Sequence, residues 1–276
     1  MSRSGVRSAL AWAATKRAYL AILLLLLPLV PAPELEARRP RPKKSLSPSR
    51  PLELLELQLR THRLEAVESF YGELLELPVL ESGESFALFQ VGSSRLRFEA
   101  APEDQEPIYH FAIEIPENKV GRAVEWLGAR HELLQGAGQE PYVRVPQLNA
   151  HSVYFRDPAG NFLELVGRHG LPTASPGAFS PRDFLRISEV ALVVNDFPRI
   201  AELLLERLGM KRLPGPRSQQ YGVFGDEAFT LVVVEKGLTW ARTEQPALPY
   251  PMVAIMRGER GSLLIADMPF VLRLRE

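Results

Sequence analysis

One order of hydrophobic patterns, strand-helix-strand-strand-strand, dominates this sequence and limits the folds open to it. Strict alternation of apolar and polar residues marks the strands, as from Leu54 to Thr61. Apolar residues spaced by three and four mark the helices, as from Leu64 to Leu75. Both halves of residues 52–168 show this order, and it starts again near residue 188, which indicates repeated units of mixed helix and sheet.

The restart is in register with the first copy. Placing Glu189 over Glu56 also places Leu203 over Phe70, a constant offset of 133 residues. Self-similarity at a fixed spacing predicts a duplicated domain.

We therefore predict an α+β protein of paired βαβββ modules, with the second module abbreviated. The predicted boundaries are a basic leader at 1–50, a complete module at 51–169, a linker at 170–184 and a degenerate module at 185–276. In the last segment the helix between the strands at 250–257 and 262–265 is missing.

The leader differs in charge from the rest of the chain. Residues 1–50 hold ten Lys or Arg against two Glu, and their apolar run from Ala18 to Val30 is typical of a secretory signal but short for a membrane span. Two interpretations of this segment remain open: a cleaved or anchoring leader within residues 1–32, or an unstructured extension. We expect a cytoplasmic protein, with export or anchoring through this leader as the alternative and membrane contact confined to it.

Composition excludes several function classes. The chain has no cysteine, so disulfides, thiolate metal sites and cysteine nucleophiles are excluded. Residues 51–276 hold 23 basic and 31 acidic residues, which argues against nucleic-acid binding. The sequence contains neither a glycine-rich phosphate loop nor a G-x-S-x-G motif, so nucleotide binding and serine hydrolysis are disfavoured.

Three segments resemble the vicinal oxygen chelate (VOC) superfamily of glyoxalases, extradiol dioxygenases and bleomycin- or fosfomycin-resistance proteins. They are LEAVESFY at 64–71, YHFAIE at 109–114 and VYFRDPAGNFLEL at 153–165. The resemblance implies the glyoxalase/bleomycin-resistance/dihydroxybiphenyl dioxygenase fold, with a divalent metal on the concave face of a curved sheet. It also implies a small-molecule substrate with adjacent oxygens.

Carried over by position, the resemblance implies Glu56, His110 and Glu164 as metal ligands. Strand alternation also gives each of them a polar face, so the three could converge. One imidazole and two carboxylates suit Fe, Mn, Zn or Ni. In the second module Arg273 stands where the last carboxylate is expected, so we expect Glu189, as its one surviving acid, not to hold an ion.

Other residues complete the predicted site. Arg97 stands where relatives offer a fourth, acidic ligand, and its guanidinium could instead pair with Glu56 or Glu164. Glu164, or His151, is the candidate proton acceptor. Besides Arg97, we expect Tyr109 and Tyr154 to contact the substrate.

Two main hypotheses of function follow. The first is a metal-dependent enzyme of the glyoxalase or dioxygenase type. The second is a metal-free protein that binds or sequesters a small molecule, in which Arg97 and the acids satisfy one another. A purely structural or partner-binding module is a third, weaker possibility.

Overall fold

The structure, a computed structural model, describes residues 51–134, 140–215, 218–240, 243–257, 261–264 and 268–275. Residues 1–50, which hold the predicted leader, lie outside this part of the chain. None of the helices in the described ranges is long and apolar enough to cross a bilayer.

Sixteen strands are found in these ranges. In chain order they are β1 (Leu54–Thr61), β2 (Val79–Gly83), β3 (Phe86–Val91), β4 (Ser94–Ala100), β5 (His110–Glu114), β6 (Leu133–Leu134), β7 (Val143–Val145), β8 (Ala150–Arg156), β9 (Phe162–Arg168), β10 (Arg186–Val194), β11 (Lys211–Arg212), β12 (Tyr221–Gly225), β13 (Thr230–Glu235), β14 (Met252–Arg257), β15 (Gly261–Leu264) and β16 (Phe270–Arg275).

Each repeat consists of two halves, and a described α-helix follows the opening strand of every half except the last. They are α1 (Leu64–Ser69), which continues as a π-helical turn at Phe70–Leu74, α2 (Val120–Gly128) and α3 (Phe197–Arg207). Asp196 caps α3 by accepting a hydrogen bond from the backbone N–H of Arg199. Only residues 258–260 separate β14 from β15, which leaves no room for a fourth such helix.

These elements confirm the predicted α+β class. The bounds of β1 agree with the alternation from Leu54 to Thr61, whereas β2 was not predicted. All five residues of β2 are exposed, so its sequence has no alternation between a buried and an exposed face.

The strands form two mixed sheets, and each sheet takes strands from both repeats. The first has the order β15-β16-β14-β1-β4-β3-β2, and the second β11-β12-β13-β10-β5-β9-β8-β6 with β7 beside β8. The opening half of one repeat therefore pairs with the closing half of the other. The pairings are β1 with β14 and β10 with β5, both antiparallel.

The main apolar core includes residues from both sheets and from all three helices, among them Leu57, Phe98, Phe111, Leu165 and Leu204. Smaller clusters cover the opposite face of the second sheet. One is centred on Val232, Val234 and Trp240. The polar residues of β5, β9 and β10 on this second face of the sheet therefore lie between apolar neighbours.

The segment predicted as a linker, residues 170–184, is mostly irregular, with a short 3-10 helix at Pro181–Asp183. It buries more than its composition indicated. Phe179 and Phe184 are buried, and their rings lie 5.4 and 6.0 Å from that of Trp126 in α2. The buried ammonium of Lys119 lies 2.7 Å from Oδ1 of Asp183. The segment is thus tied to the start of α2.

Candidate metal centre

A small residue at the middle of β5 organises the polar face of the second sheet. Ala112 is opposite Glu164 on one neighbouring strand and opposite Glu189 on the other. His110 precedes Ala112 by two residues and so lies on the same face. Because the alanine side chain is a single methyl group, the two carboxylates and the imidazole can approach one another above it.

The three side chains form one buried cluster, with 7%, 4% and 5% of His110, Glu164 and Glu189 exposed. Nε2 of His110 lies 3.4 Å from Oε1 of Glu189 and 3.9 Å from Oε2 of Glu164. All three potential ligand atoms lie within 4.8 Å of one another. Two atoms each about 2.1 Å from one ion are at most about 4.2 Å apart, so the observed spacing is close to that of ligands on one ion.

The orientation of His110 suits a ligand. Its Nδ1 lies 2.9 Å from the carbonyl oxygen of Phe162, which can only accept a hydrogen bond. Nδ1 is therefore the donor, and in the neutral ring the lone pair of Nε2 points toward the two carboxylates. A backbone carbonyl that sets the tautomer in this way is common behind metal-bound histidines.

Each carboxylate accepts a hydrogen bond from a neighbouring Ser or Thr hydroxyl at one oxygen and keeps its other oxygen toward His110. The hydroxyl of Ser152 donates to Oε1 of Glu164. The hydroxyl of Thr230 donates to Oε2 of Glu189 at 2.6 Å. Oε2 of Glu164 and Oε1 of Glu189 remain directed at the imidazole, so the donor set of one nitrogen and two oxygens is already oriented.

Arg168 is the buried cation beside the cluster. One of its terminal nitrogens lies 3.3 Å from the Thr230 hydroxyl oxygen and 3.7 Å from Oε2 of Glu189. Its other terminal nitrogen lies 3.7 Å from Oε2 of Glu114. The guanidinium approaches Glu189 through Oε2, while Oε1 faces His110. It therefore supports the carboxylate from behind without occupying the space among the three ligand atoms.

Burial and the close approach of the three side chains shift the pKa of each of them when no ion is bound. Burial and the charge of Glu189 raise the pKa of Glu164 to about 7. Burial alone would lower the pKa of His110, but Glu189 and Glu164 outweigh it and hold that pKa above its usual value. Burial acts to raise the pKa of Glu189, yet His110, Arg168 and Thr230 together lower it.

A cavity of about 500 Å³ opens above the cluster. Its polar floor is His110, Glu164 and Glu189, and most of its wall is apolar or aromatic. The lining residues outside the floor are Val143, Arg144, Val145, Gln147, Leu148, Tyr154, Phe162, Tyr221, Val223, Val232, Val234, Leu238, Thr239 and Trp240. A small organic molecule fits this volume.

Glu56 is not part of the cluster, which corrects the predicted ligand set. It lies on β1 in the first sheet, where a terminal nitrogen of Arg95 is 2.8 Å from its Oε2 and the amide of Gln58 is 2.6 Å from its Oε1. Glu189, its counterpart at the 133-residue offset, lies beside His110 and Glu164, where Glu56 was expected. We expected Glu189 to be the one acid left in its module, but the exchange of halves brings it beside His110 and Glu164.

The two glutamates have matching backbone surroundings but different partners. A register irregularity precedes each of them, between Leu54 and Glu56 in β1 and between Ile187 and Glu189 in β10. Glu189 faces Ala112, whereas Glu56 faces Ile255, which in turn pairs with Arg273. The pseudo-symmetric position therefore lacks the second carboxylate.

Arg97 also lies away from the cluster, contrary to the expected pairing with Glu56 or Glu164. Its Nε donates to Glu99 at 3.0 Å, and its guanidinium lies 4.0 Å from the centre of the Phe86 ring. The cation beside the cluster is Arg168, which alternation along β9 places on the same face as Glu164.

His151 and Tyr109 are likewise not brought to the cavity. His151 lies on the opposite face of β8 from Ser152, and its Nδ1 is 2.7 Å from Nε2 of His169. The Tyr109 hydroxyl donates to the carbonyl of Pro251 at 2.7 Å. Tyr154 does line the cavity, where its ring stacks on Phe162 at 5.4 Å.

Sequence reasoning missed Thr230, Ser152, Arg168 and Trp240. The repeat offset marked Glu189 as the equal of Glu56, and alternation with Glu164 could have marked Arg168. Trp240 carried no periodic signal, because it lies in the irregular connector between β13 and β14.

Comparisons with known proteins agree with this architecture. Residues 53–165 match the sequence model of the Glyoxalase/Bleomycin resistance protein/Dioxygenase superfamily. A Biphenyl-2,3-diol 1,2-dioxygenase 2 from Rhodococcus globerulus is 30% identical over 116 residues, which are 39% of this chain and 58% of that protein. The chain thus spans less than two thirds of this relative.

Two solved structures share the fold over most of the chain. A "putative dioxygenase" from Bacillus subtilis has a TM-score of 0.52 at 15% identity, covering 80% of this chain and 84% of its own. A glyoxalase I mutant from Zea mays has a TM-score of 0.51 at 16% identity, covering 81% and 94%. At these identities the likeness concerns the fold alone. Residues 53–165 are thus a domain of the Glyoxalase/Bleomycin resistance protein/Dioxygenase superfamily, the vicinal oxygen chelate proteins.

Proposed function

We propose that the protein is a metal-dependent enzyme that acts on a small molecule with two adjacent oxygens. The observation that carries this proposal is the convergence of Nε2 of His110, Oε2 of Glu164 and Oε1 of Glu189 at the floor of a cavity. One nitrogen and two carboxylate oxygens suit a divalent Fe, Mn, Zn or Ni ion. The named activity of the Rhodococcus globerulus relative, on a diol, supports a substrate with adjacent oxygens.

His110, Glu164 and Glu189 would hold the ion. Such an ion, when bound, supplies Lewis-acid stabilisation of negative charge on a neighbouring substrate oxygen. The hydrogen bonds from Ser152 and Thr230, and that from His110 to the Phe162 carbonyl, keep the ligand atoms oriented before binding. This preorganisation reduces the cost of ordering the side chains.

Glu164 is the proposed proton acceptor. Its pKa of about 7 lies near neutral pH, where a carboxylate can both take up and release a proton. Oε2 would be the accepting atom once it is displaced from the ion, because Oε1 is already bonded to the Ser152 hydroxyl.

Binding without a metal is the second candidate function. It is favoured by the high pKa of His110, because a protonated imidazole between two carboxylates satisfies their charge without an ion. The cavity then serves only to bind or sequester a small organic molecule.

Metal analysis separates the two functions. We expect the full-length protein, stripped with a chelator and reconstituted with Mn²⁺ or Zn²⁺, to retain about one ion per chain, as three convergent ligands allow. The variant His110→Ala should lose that ion. A wild-type protein that retains no Fe, Mn, Zn or Ni after reconstitution would contradict the enzyme proposal and support metal-free binding.

A further inference from the structure

We propose that Glu114, a buried glutamate outside the candidate ligand set, is a positioning residue of the metal centre: it neutralises Arg168, so that the two ligand carboxylates keep their negative charge for the ion. The inference rests on the proposed function, because it presupposes an ion at the cluster. It is carried by the contacts of Glu114, by the balance of buried charges and by an oxygen of Glu114 that has no partner.

Glu114 is the last residue of β5, and alternation along this strand places it on the same face as His110. On one side it is opposite Arg186 in β10. On the other side it is opposite Val166 in β9, two residues before Arg168. The side chain of Glu114 therefore lies between two arginines, one from each neighbouring strand.

One oxygen of Glu114 is close to both arginines. Nε and a terminal nitrogen of Arg186 donate to Oε2 of Glu114 at 2.9 and 2.7 Å. A terminal nitrogen of Arg168 lies 3.7 Å from the same oxygen, and its other terminal nitrogen lies 3.7 Å from Oε2 of Glu189. The series of charged contacts that starts at Arg186 thus ends at a ligand carboxylate.

The balance of these charges affects how well the cluster can hold an ion. The side chains of Glu114 and Arg168 are 0% and 3% exposed, whereas that of Arg186 is 25% exposed. Together with the two ligand carboxylates they carry one net negative charge, and a divalent ion turns this into one net positive charge. Without Glu114 the loaded site would carry two positive charges in excess. Uncompensated charge is strongly unfavourable in a buried site, so the ion would bind more weakly.

The second oxygen of Glu114 shows that stability alone does not explain this carboxylate. Oε1 is buried and has no hydrogen-bond partner among the described residues. Burial raises the pKa of Glu114, while the charges of Arg168 and Arg186 act to lower it. A buried carboxylate with an unpaired oxygen destabilises a fold relative to a neutral side chain of the same shape. The charge of Glu114 therefore serves the neighbouring metal centre.

Two substitutions separate an electrostatic role from a structural one, because they should change Mn²⁺ affinity in opposite directions. Glu114→Gln keeps the shape of the side chain and removes its charge, so it should weaken binding about tenfold, the lower end of the range for residues behind metal ligands. Arg186→Met removes a positive charge and should strengthen binding about threefold, a smaller effect because Arg186 is partly exposed and screened. Isothermal titration of the full-length protein at about pH 8, above the usual carboxyl range, measures both.

A double variant and a matched control complete the test. Glu114→Gln combined with Arg186→Met restores the net charge of the wild type and should bind Mn²⁺ within about threefold of it, because the two effects oppose each other. Glu53→Gln removes the same charge from the first sheet, where Glu53 pairs with Arg257 at 2.7 Å and is partly exposed. It should bind Mn²⁺ like wild type.

Loss of affinity in both single variants, or unchanged affinity in both, overturns the role of Glu114, because a purely structural contact would be weakened by either change. If circular dichroism shows that Glu114→Gln does not fold, Arg186→Met decides alone, and an affinity no higher than that of wild type overturns the proposal. A wild type that binds no Mn²⁺ contradicts the proposed function as well. A wild type that binds Mn²⁺, with variants of the wrong sign, overturns only the role of Glu114.

Discussion

The hydroxyl of Thr230 donates a hydrogen bond to Oε2 of Glu189 across two neighbouring strands, at 2.6 Å. The two residues are opposite each other in the parallel pairing of β10 with β13. Arg168 donates to the same hydroxyl oxygen at 3.3 Å, so the Thr230 hydrogen points toward Glu189. These two hydrogen bonds hold Oε2 of Glu189 in place, while Oε1 faces His110, where an ion could bind.

Loss of the Thr230 hydroxyl should therefore weaken metal binding without removing a ligand. We expect Thr230→Val, which keeps the shape of the side chain, to lower the affinity for Mn²⁺ about tenfold, in the range found for residues that orient metal ligands. Titration calorimetry measures this change. Thr230→Ser keeps the hydroxyl and should bind like wild type; an unchanged affinity in Thr230→Val would show that this hydroxyl does not orient Glu189.

The exchange of halves predicts different outcomes for two glutamates that are equivalent in the sequence repeat. Glu189→Ala should lower metal affinity by more than about 100-fold, because it removes a ligand rather than a support. Glu56→Ala should leave the affinity unchanged, since Glu56 is paired with Arg95 in the other sheet. Metal titration of both variants, with circular dichroism to compare their folds, checks the pair. The reverse order of effects would place the site within a single module.

Metal affinity should fall as the pH falls through neutrality. The pKa of Glu164 is raised to about 7, so this group takes up a proton as the pH drops below about 7. The pKa of His110 also lies above its usual value, so this group takes up its proton at a higher pH than an ordinary histidine. A metal ion must displace those protons, which costs about tenfold in affinity per proton and pH unit. Dissociation constants for Zn²⁺ between pH 6 and pH 8 test this dependence. A constant affinity over that interval would be inconsistent with raised pKa values at the ligands.

The buried pair of Lys119 and Asp183 should contribute to stability in a pH-dependent way. Hydrogen bonds from Lys119 and Ser180 outweigh burial and hold the pKa of Asp183 below its usual value. Because the folded-state pKa is the lower one, this contribution is fully present above the unfolded pKa of about 4 and is lost as the pH falls through the folded pKa.

Lys119→Met leaves that carboxylate without its cation and should cost on the order of 3 kcal/mol of unfolding free energy at pH 7. The exposed pair of Arg257 and Glu53 is the control, and Arg257→Met should change stability by less than about 1 kcal/mol. Urea denaturation at pH 7 and pH 3 measures both variants. A Lys119→Met protein as stable as wild type would show that the 170–184 segment does not depend on this contact.

Local patterns in the sequence determined most of the secondary structure, and the resemblance drew attention to two of the three clustered side chains. Alternation gave the bounds of β1, and helical spacing gave the helix that begins at Leu64. The resemblance of YHFAIE and VYFRDPAGNFLEL to known relatives singled out His110 and Glu164. The strand bounds were confirmed because they depend on neighbouring residues along the chain. β2 escaped prediction because it is exposed on both faces.

Only the tertiary structure decided which glutamate joins His110 and Glu164. Glu56 and Glu189 stand at the same place in two repeats, each after a similar irregularity in its strand, so local sequence does not separate them. The choice depends on whether β5 pairs with the opening strand of its own repeat or of the other, and strand pairing is a long-range interaction. The same pairing places Arg168 rather than Arg97 beside the carboxylates and brings the Trp240 connector over the cavity.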